Sequence, residues 1–504
     1  MPFHADIEKW CDLKPNADAV TIGDETLSFQ QLIAQRNELN CRVVLTDTRQ
    51  YLHQLNAKVV ALVAENSLQF IGQFLSTTYG HNCCLLLSSA LKASQVKSTC
   101  DQIRPDVIFP HSLFDEFEHS YDEISKADSS QFKAHLAGEN DAGESGAGEN
   151  DDDASTPFLI GLTSGTTSQP KAFIRNRQSW RVSLMQSRGV FEVDETTTTI
   201  SPGPLAHGLS LYAMAETLSA GAHFISMKKF DALGVVELIA QHNAKRLVMV
   251  PTMLSGLCKV LETQNIQLDQ ITSIVTAGSK LDATLLRHIQ NFMPNAKVFE
   301  YYGASELGFV TYAVRQLDDG YDVGHAFPGV ELAILDKDGE NLPLGDSGKV
   351  CVKSDYICDG YISKHDGAGF SMENGWASVG DIGYLDENER LVLAGREGDM
   401  IISGGNNIYP SSVENVLKGL AAVEDVVVLG LDDAHLGSKL VAIISGKQLC
   451  QADLTNHCQQ ELAVYAIPKL FYYVQDWPMT ESGKISKKIL MDWVSTNNDQ
   501  LQRL

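Results

Sequence analysis

Short apolar runs alternate with longer amphipathic runs along most of this 504-residue chain, and this alternation restricts its fold more than any other feature. The runs "KVVALVA" (58–64), "CCLLLS" (83–88) and "DVIFP" (106–110) are typical of buried strands. Between the first two, "SLQFIGQFLSTTYG" has helical spacing. Repeated strand–helix units predict parallel sheets covered by helices, which is the α/β class.

The same alternation resumes near residue 158. It predicts strands at 158–163, 222–227, 245–250, 273–278 and 297–303, with helices at 208–219, 231–242, 251–262 and 283–292. After about 311 the strands become short and are broken by Asp-Gly and Pro-Leu-Gly-Asp turns, which predicts a small antiparallel β unit. Beyond 400 the pattern predicts a separate small α+β domain.

The predicted organisation is therefore a large N-terminal domain over 1–395, which includes the antiparallel β unit at about 311–395. A hinge follows at 396–399, where "GREGDM" is a charged turn between apolar segments, and a C-terminal lid domain covers 400–504.

The formal net charge of −25 argues against non-specific nucleic-acid binding, which requires clustered Lys and Arg. Part of this charge is local, because residues 137–153 hold seven acidic residues and no basic or aromatic residue. The region at about 137–154 is interpreted as a mobile surface insert, with an acidic partner-binding segment as the alternative.

Other features predict a cytoplasmic protein. The N-terminus has no secretory pattern, and no stretch approaches the roughly 18 to 20 apolar residues that cross a bilayer. The ten cysteines are scattered without a C-x-x-C pair, which argues against structural zinc or disulfides and favours buried, inert thiols.

Three Gly- or Ser-rich segments follow predicted strands, at 163–171, 277–280 and 302–306. Ligands of open α/β sheets bind beyond the carboxyl ends of the strands, so these segments are expected to face one crevice. Each segment alone is more often a simple turn. Three of them together predict a binding site.

Four motifs occur in order: "LTSGTTSQPKA", "YYGASE", "SVGDIGYLDENERLVLAGREGDMIISGGNNIYPSSVE" and "MTESGKISKKIL". Together they resemble the adenylate-forming enzymes, and among these most of all the acyl-CoA synthetases. The resemblance implies that a carboxylic acid attacks the α-phosphorus of ATP to give an acyl-adenylate and pyrophosphate, and that the thiol of CoA then takes the acyl group. It also implies ATP, Mg²⁺ and CoA as cofactors. Positioning and charge neutralisation are expected to dominate such catalysis.

The first motif, by this resemblance, holds the phosphates of ATP. Its predicted phosphate-binding residues are Thr163, Ser164, Gly165, Thr166, Thr167 and Lys171, with Thr167 also near the metal. Ser168 and Ala172 replace glycines that are common in relatives, which restricts the conformations of the loop.

The second set of predicted residues binds AMP. By resemblance these are Gly278, Ser279, Lys280, Glu300, Tyr301, Tyr302, Gly303 and Ser305. Tyr302 is expected to stack on the purine, Glu300 to lie near the adenine amino group, and Glu306 to bind Mg²⁺. A core tyrosine and a solvated glutamate are the alternatives for residues of these types.

The remaining predicted residues lie later in the chain, except one. Asp381 and Arg396 would contact ribose or phosphate, Gly398 would be the hinge, and Gly404 and Gly405 would line a thiol tunnel. Lys484 is predicted to stabilise charge during adenylation, and Lys487 and Lys488 either meet CoA phosphates or form a solvated face. His207, in "PGPLAHGLS", is predicted to orient the carboxylate or gate its access, with a structural helix-start histidine as the alternative.

The acid and the acceptor stay open at this level. No Asp follows His207 in "HGLSLYAMAETLS", which disfavours an amino-acid substrate, and a fatty or aryl acid is expected. The leading interpretation is an acyl-CoA synthetase. The alternatives are loading of a separate carrier protein and a non-catalytic adenylate-binding protein, and the oligomeric state is expected to be monomer or homodimer.

Overall fold

The structure is a computed structural model, and it describes residues 3–46, 59–79, 82–108, 155–163, 171–317, 322–362, 370–420, 422–433, 435–447, 450–479 and 485–504. The acidic insert predicted at 137–154 lies outside the described residues.

Helices within the described chain are α1 (His4–Leu13), α2 (Phe29–Thr46), α3 (Leu68–Thr78), α4 (Ala93–Ile103), α5 (Arg177–Val190), α6 (Gly208–Ser219), α7 (Ala232–His242), α8 (Pro251–Gln264), α9 (Ala283–Phe292), α10 (Pro410–Lys418), α11 (Gln451–Glu461) and α12 (Lys487–Thr496). Short 3₁₀ helices cover Glu397–Asp399 and Val464–Ala466.

The strands of the first half are β1 (Asp18–Ile22), β2 (Glu25–Ser28), β3 (Val59–Ala64), β4 (Cys83–Ser88), β5 (Val107–Ile108), β6 (Pro157–Thr163), β7 (Lys171–Asn176), β8 (Thr198–Ile200), β9 (His223–Ser226), β10 (Arg246–Val248), β11 (Ser273–Thr276), β12 (Lys297–Ala304), β13 (Gly308–Val314) and β14 (His325–Ala326). Those of the second half are β15 (Glu331–Leu335), β16 (Gly348–Lys353), β17 (Gly360–Tyr361), β18 (Ser371–Glu373), β19 (Trp376–Ser378), β20 (Asp381–Leu385), β21 (Leu391–Arg396), β22 (Ile401–Ser403), β23 (Asn406–Ile408), β24 (Val423–Asp433), β25 (Gly437–Gly446), β26 (Leu470–Val474) and β27 (Leu501–Arg503).

These strands and helices form two compact units. One unit comprises residues 1–319, 324–331 and 352–370, and the other comprises 320–323, 332–351 and 371–504. Of the region predicted as an antiparallel β unit, β18 to β21 and most of β15 and β16 fall in the second unit with the C-terminal region, whereas β13, β14 and β17 fall in the first unit. The sequence interpretation placed the whole region with the N-terminal domain. The domain boundaries at 395–400 stay a prediction.

The first unit holds two sheets. A nine-stranded sheet has the order β14-β13-β12-β11-β10-β8-β9-β1-β2. The strands from β12 to β1 in this order run parallel to one another. A six-stranded sheet has the order β17-β7-β6-β4-β3-β5. Buried aliphatic side chains of β10, β11, α7, α8 and α9 form one continuous core, as the strand–helix alternation requires.

The second unit also holds two sheets. In one, β19, β16, β20 and β21 lie in that order, and β20 pairs antiparallel with β21. In the other, β24 pairs antiparallel with β25 over Val423–Asp433, and β25 pairs parallel with β26. Buried Val, Leu and Ile side chains of β24 and β25 pack against α10 on one face of this sheet and α12 on the other.

Most predicted elements recur in the structure. The helices predicted at 208–219 and 283–292 have those bounds, and the predicted strands are present with shifts of a few residues at their ends. Elements that the sequence interpretation left unassigned include α1, β1, β2 and α5. In particular, β1 joins the large sheet beside β9, about two hundred residues later, because Val20 pairs with Phe224.

The nine cysteines whose side chains the structure describes are free thiols. Seven of them are buried, Cys11 is partly exposed and Cys450 is exposed. Among the described residues, no helix is both long enough and apolar enough to cross a membrane.

Candidate active site

A tight hairpin between β12 and β13 carries the predicted metal-binding residue. Ala304 pairs with Gly308, so Ser305, Glu306 and Leu307 form a three-residue turn with Glu306 at its centre. Gly308 has a φ of +74°, as such loops require of the residue that follows them. A Cβ at Gly303 would lie 2.3 Å from the Gly308 carbonyl oxygen, so the two strands can approach here only with glycine.

Glu306 is a buried residue, 8% exposed as a whole. The hydroxyl of Tyr361 donates a hydrogen bond to its Oε1 atom. The main-chain oxygen of Glu306 accepts a hydrogen bond of 2.8 Å from the Cys358 N–H. The position of the carboxylate is therefore set by both backbone and side-chain contacts.

Arg175 fixes the residue next to Glu306. Its guanidinium is 6% exposed and donates to the carbonyl oxygens of Tyr356 and Ser305, the latter at 2.6 Å. Burial lowers the pKa of Arg175, while the neighbouring Cys358 and Glu306 act to raise it. This buried cation thus ties β7 to the hairpin turn.

The predicted phosphate loop connects β6 to β7. Thr163 and Lys171 pair at its two ends, and the Thr163 hydroxyl lies 3.5 Å from the Lys171 carbonyl oxygen. The Lys171 ammonium lies 5.6 Å from the centre of the Tyr361 ring, within cation–π range. The predicted loop residues Ser164, Gly165, Thr166, Thr167 and Ser168 lie outside the described residues.

The predicted adenine segments follow the carboxyl ends of adjacent parallel strands. Gly278, with a φ of +92°, and Ser279 are exposed just after β11, and Lys280 is partly exposed. Tyr301 on β12 packs edge-on against Phe309 at 4.7 Å between ring centres, and burial raises the pKa of its phenol. Since successive strand residues point to opposite faces, Tyr302 lies on the other face of β12 from Tyr301.

Glu300 is engaged on both carboxylate oxygens. Oε1 accepts a hydrogen bond of 2.6 Å from the Leu281 N–H, and Oε2 forms an ion pair of 2.5 Å with the Arg315 Nε. Both side chains of the pair are 4% exposed. This arrangement supplies a structural role for Glu300, and its predicted contact with the adenine amino group stays a prediction.

His207 lies at the exposed N-terminus of α6 and makes no side-chain capping bond to that helix. The turn before it is fixed by Asn66, whose amide donates to the Gly203 and Met227 carbonyl oxygens and whose Oδ1 accepts from the Leu205 N–H at 2.8 Å. The helix start is therefore anchored while the imidazole is left accessible.

In the second unit, Asp381 and Arg396 pair across β20 and β21. The Arg396 Nε donates to the Asp381 Oδ1 at 2.8 Å. The Asp381 side chain is 6% exposed, whereas that of Arg396 is 61% exposed. The arginine thus orients the carboxylate while most of its own surface remains open.

The predicted hinge and thiol-tunnel residues also lie in the second unit. Gly398 is in the short 3₁₀ helix after β21, with open space where a Cβ would be. Gly404 and Gly405 have φ values of +58° and +80° and form the two-residue turn between β22 and β23, as a type I′ hairpin requires. The Lys487 ammonium lies 3.1 Å from the Asp399 carboxylate, and Lys488 is exposed at the start of α12. Lys484 lies outside the described residues.

The donor atoms around the hairpin suit Mg²⁺. Glu306 offers a carboxylate and Thr163 a hydroxyl, and hard oxygen donors are the ligands that this ion prefers. Within the described chain, no three His, Cys, Asp or Glu side chains come together as a complete metal cage. An ion at Glu306 would therefore take its remaining ligands from the phosphates of a bound nucleotide.

Sequence reasoning missed Asn66, Arg175 and Tyr361. An arginine within the apolar run "KAFIRN" is a signal for a buried cation that needs partners, and it could have indicated Arg175. Tyr361 carries no comparable signal, because its role follows from the pairing of β17 with β7.

Comparisons with known proteins agree with this geometry. The AMP-binding enzyme family matches residues 7–362, and the AMP-binding enzyme C-terminal domain matches residues 412–484. The putative long chain fatty acid-CoA ligase VraA of Staphylococcus epidermidis is 35% identical over 65% of this chain and 70% of its own length. The uncharacterized acyl-CoA ligase YhfT of Bacillus subtilis is 32% identical over 68% of this chain and 70% of its own length.

Two solved structures share the fold. ATP-bound MatB from Rhodopseudomonas palustris has a TM-score of 0.81 at 22% identity and covers 98% of this chain and 99% of its own. O-succinylbenzoate Coenzyme A Synthetase (MenE) from Bacillus subtilis, in complex with AMP, has a TM-score of 0.77 at 23% identity and covers 95% and 96%. The predicted α/β fold is confirmed. The chain belongs to the AMP-binding enzyme family, and the family resemblance of its four motifs is confirmed.

Proposed function

We propose that this protein activates a carboxylic acid with ATP, releasing pyrophosphate and forming an acyl-adenylate, and then transfers the acyl group to the thiol of CoA. The observation that carries the proposal is the hairpin turn with Glu306, braced by Arg175 and Tyr361 against the strand that begins with Lys171. It combines a buried carboxylate with the end of a phosphate-type loop. The names of the curated relatives, both acyl-CoA ligases, support the same reaction.

In the proposed first step, the loop at 163–171 and Lys171 hold the β- and γ-phosphates, and Ser305 contacts the α-phosphate. Tyr302 stacks on the adenine, and Gly278, Ser279 and Lys280 border it. When bound at Glu306, Mg²⁺ neutralises charge on the phosphate oxygens. His207 orients the acid at the start of α6.

Further roles are proposed for residues that lie later in the chain. Asp381 accepts hydrogen bonds from the ribose hydroxyls, since a carboxylate is an acceptor only. Arg396 contacts ribose or phosphate, and Lys484 stabilises the charge that develops as the acid attacks phosphorus. Gly398 serves as the hinge, and Gly404 and Gly405 allow the CoA thiol to approach closely.

A fatty acid is the proposed substrate, because the relative from S. epidermidis is named a long chain fatty acid-CoA ligase and the segment 207–219 contains no aspartate that could hold an amino group. An aryl acid remains the alternative. We propose CoA as acceptor, with a separate carrier protein as the alternative. The cytoplasmic location and the monomeric or homodimeric state stay predictions.

The test is pyrophosphate exchange over a panel of fatty, aryl and amino acids, followed by mass spectrometry with CoA or a purified carrier protein. At least one fatty acid should support exchange and give an acyl-CoA thioester. Transfer to the carrier alone would replace CoA as the acceptor. Absence of acid-dependent exchange across the panel would overturn the proposed activity and favour a non-catalytic adenylate-binding protein.

The two half-reactions of Lys484→Ala add a second test. Removing one charge-stabilising donor typically lowers the rate by about 10² to 10³. Adenylation should fall by this factor, whereas thioester formation from preformed acyl-adenylate should fall much less. Equal losses in both half-reactions would contradict the role of Lys484.

A further inference from the structure

Tyr361 links two segments of the candidate site that are far apart in the sequence. Its strand β17 pairs with β7, where Tyr361 lies opposite Phe173. The Ile362 N–H donates to the Ala172 carbonyl oxygen at 2.9 Å, so the tyrosine backbone is anchored beside the strand start at Lys171. These backbone contacts therefore fix the point from which the Tyr361 side chain extends.

From this position the Tyr361 hydroxyl donates to the carboxylate of Glu306. The other carboxylate oxygen accepts no hydrogen bond from any described residue.

The backbone around Glu306 is held without Tyr361. The Cys358 N–H binds the Glu306 carbonyl oxygen, and Arg175 binds that of Ser305. What these contacts leave undetermined is the rotation of the Glu306 side chain. The phenol hydrogen bond restricts that rotation.

We propose that Tyr361 is a positioning residue for divalent metal, whose hydroxyl holds the Glu306 carboxylate so that its second oxygen faces a hard cation on the nucleotide phosphates. This inference rests on the proposed function for the identity of Glu306 as the metal ligand. It adds a residue whose effect is exerted through Glu306 and not by contact with the substrate.

The test compares Tyr361→Phe with Tyr356→Phe. Each substitution deletes one phenol oxygen in the same unit, but the Tyr356 hydroxyl donates to the Pro328 carbonyl oxygen and not to Glu306. Binding of a fluorescent ATP analogue is measured against Mg²⁺ concentration without acid or CoA, so the readout requires no turnover. Thermal unfolding is followed in parallel.

Loss of an outer contact to a metal-binding side chain typically weakens metal affinity by about 10- to 100-fold. Tyr361→Phe should raise the half-saturating Mg²⁺ concentration by this factor while binding of the metal-free nucleotide is unchanged. Tyr356→Phe should leave the Mg²⁺ dependence as in the wild type. An unchanged Mg²⁺ dependence in folded Tyr361→Phe, or an equal loss of metal-free binding, overturns the inference.

A second variant keeps the inference testable if Tyr361→Phe is unstable. In a Glu306→Gln background, adding Tyr361→Phe should not change the Mg²⁺ dependence further, because the hydroxyl acts through the carboxylate. An additional shift would overturn the inference. If the wild type binds Mg²⁺–ATP but shows no acid-dependent exchange, the proposed reaction fails and the role of Tyr361 does not. If it binds no ATP at any Mg²⁺ concentration, both fail.

Discussion

Two acid–arginine pairs, one in each unit, are both joined through the arginine Nε but have very different surroundings. Glu300 and Arg315 are each 4% exposed, and the second oxygen of Glu300 binds the Leu281 N–H. Asp381 is 6% exposed, but the side chain of Arg396 is 61% exposed. The family resemblance assigned both acids to nucleotide contacts. The difference in exposure shows that the first pair is enclosed on both sides and that the second borders solvent through its arginine, while the nucleotide contacts of both acids stay predictions.

Arg315→Met is expected to give the largest effect on stability. It would leave the Glu300 carboxylate buried without its counter-charge, which typically lowers the free energy of unfolding by about 3–5 kcal/mol. Urea denaturation followed by circular dichroism measures the change. Arg396→Met is the matched control, and because its arginine is mostly exposed it should cost less than about 1 kcal/mol. Similar losses in the two variants would remove the distinction between the pairs.

Asp381→Asn should act on nucleotide binding instead. A hydrogen bond to a charged group typically contributes about 1.5–3 kcal/mol, which corresponds to roughly 10- to 100-fold in affinity. The affinity for a fluorescent ATP analogue should fall by this factor while the unfolding curve changes little. An unaltered affinity would show that the open pair does not serve the nucleotide.

The stability of the first unit in acid is expected to depend on His223. Burial lowers the pKa of His223 to about 4, with a smaller lowering from His242 and an opposing effect of Asp18. The unfolded chain takes up this proton near pH 6.5 and the folded chain only near 4, so the associated stability is complete above 6.5 and is lost as pH falls towards 4. His223→Asn should flatten the loss of stability over this window. The same substitution at exposed His435 is the control, and equal slopes in both variants would contradict the prediction.

Lys487→Met should give the smallest effect. Its pair with Asp399 is 46% and 40% exposed, so removing it should change the free energy of unfolding by less than about 1 kcal/mol, and high salt should abolish the difference. Urea denaturation at low and high salt measures this. A larger loss of unfolding free energy that does not depend on salt would show that this exposed ion pair near the predicted hinge behaves like the buried pair of Glu300 and Arg315.

The sequence was sufficient for the pattern of strands and helices, because apolar periodicity reports burial directly. It also placed the polar segments after β11 and β12, since the carboxyl ends of adjacent parallel strands meet at one edge. It could not show that Glu300 faces Arg315, because that contact depends on the β12–β13 hairpin and on which face each side chain takes. The structure thus adds a buried ion pair at Glu300 that the sequence did not indicate, and the predicted adenine contact of Glu300 stays a prediction.

Long-range pairing explains the other gaps. Tyr361 reaches Glu306 only because β17 pairs with β7. Similarly, β1 pairs in the large sheet with β9, which follows it by about two hundred residues. Neither contact leaves a periodic signal in its own segment. By contrast, the glycines at 404 and 405 form a type I′ turn, which restricts residue choice locally, while their predicted place in a thiol tunnel stays a prediction.

The burial of the cysteines bears on whether the protein is acylated by its own reactive intermediate. An acyl-adenylate reacts with any thiolate within reach, and an enzyme that makes one exposes its own side chains to acylation. Cys358, whose N–H binds the Glu306 carbonyl oxygen, is buried, and burial raises the pKa of its thiol to about 11. At neutral pH almost all of it is the unreactive thiol. In the proposed reaction, this thiol beside Glu306 is thereby kept from competing with CoA for the acyl group.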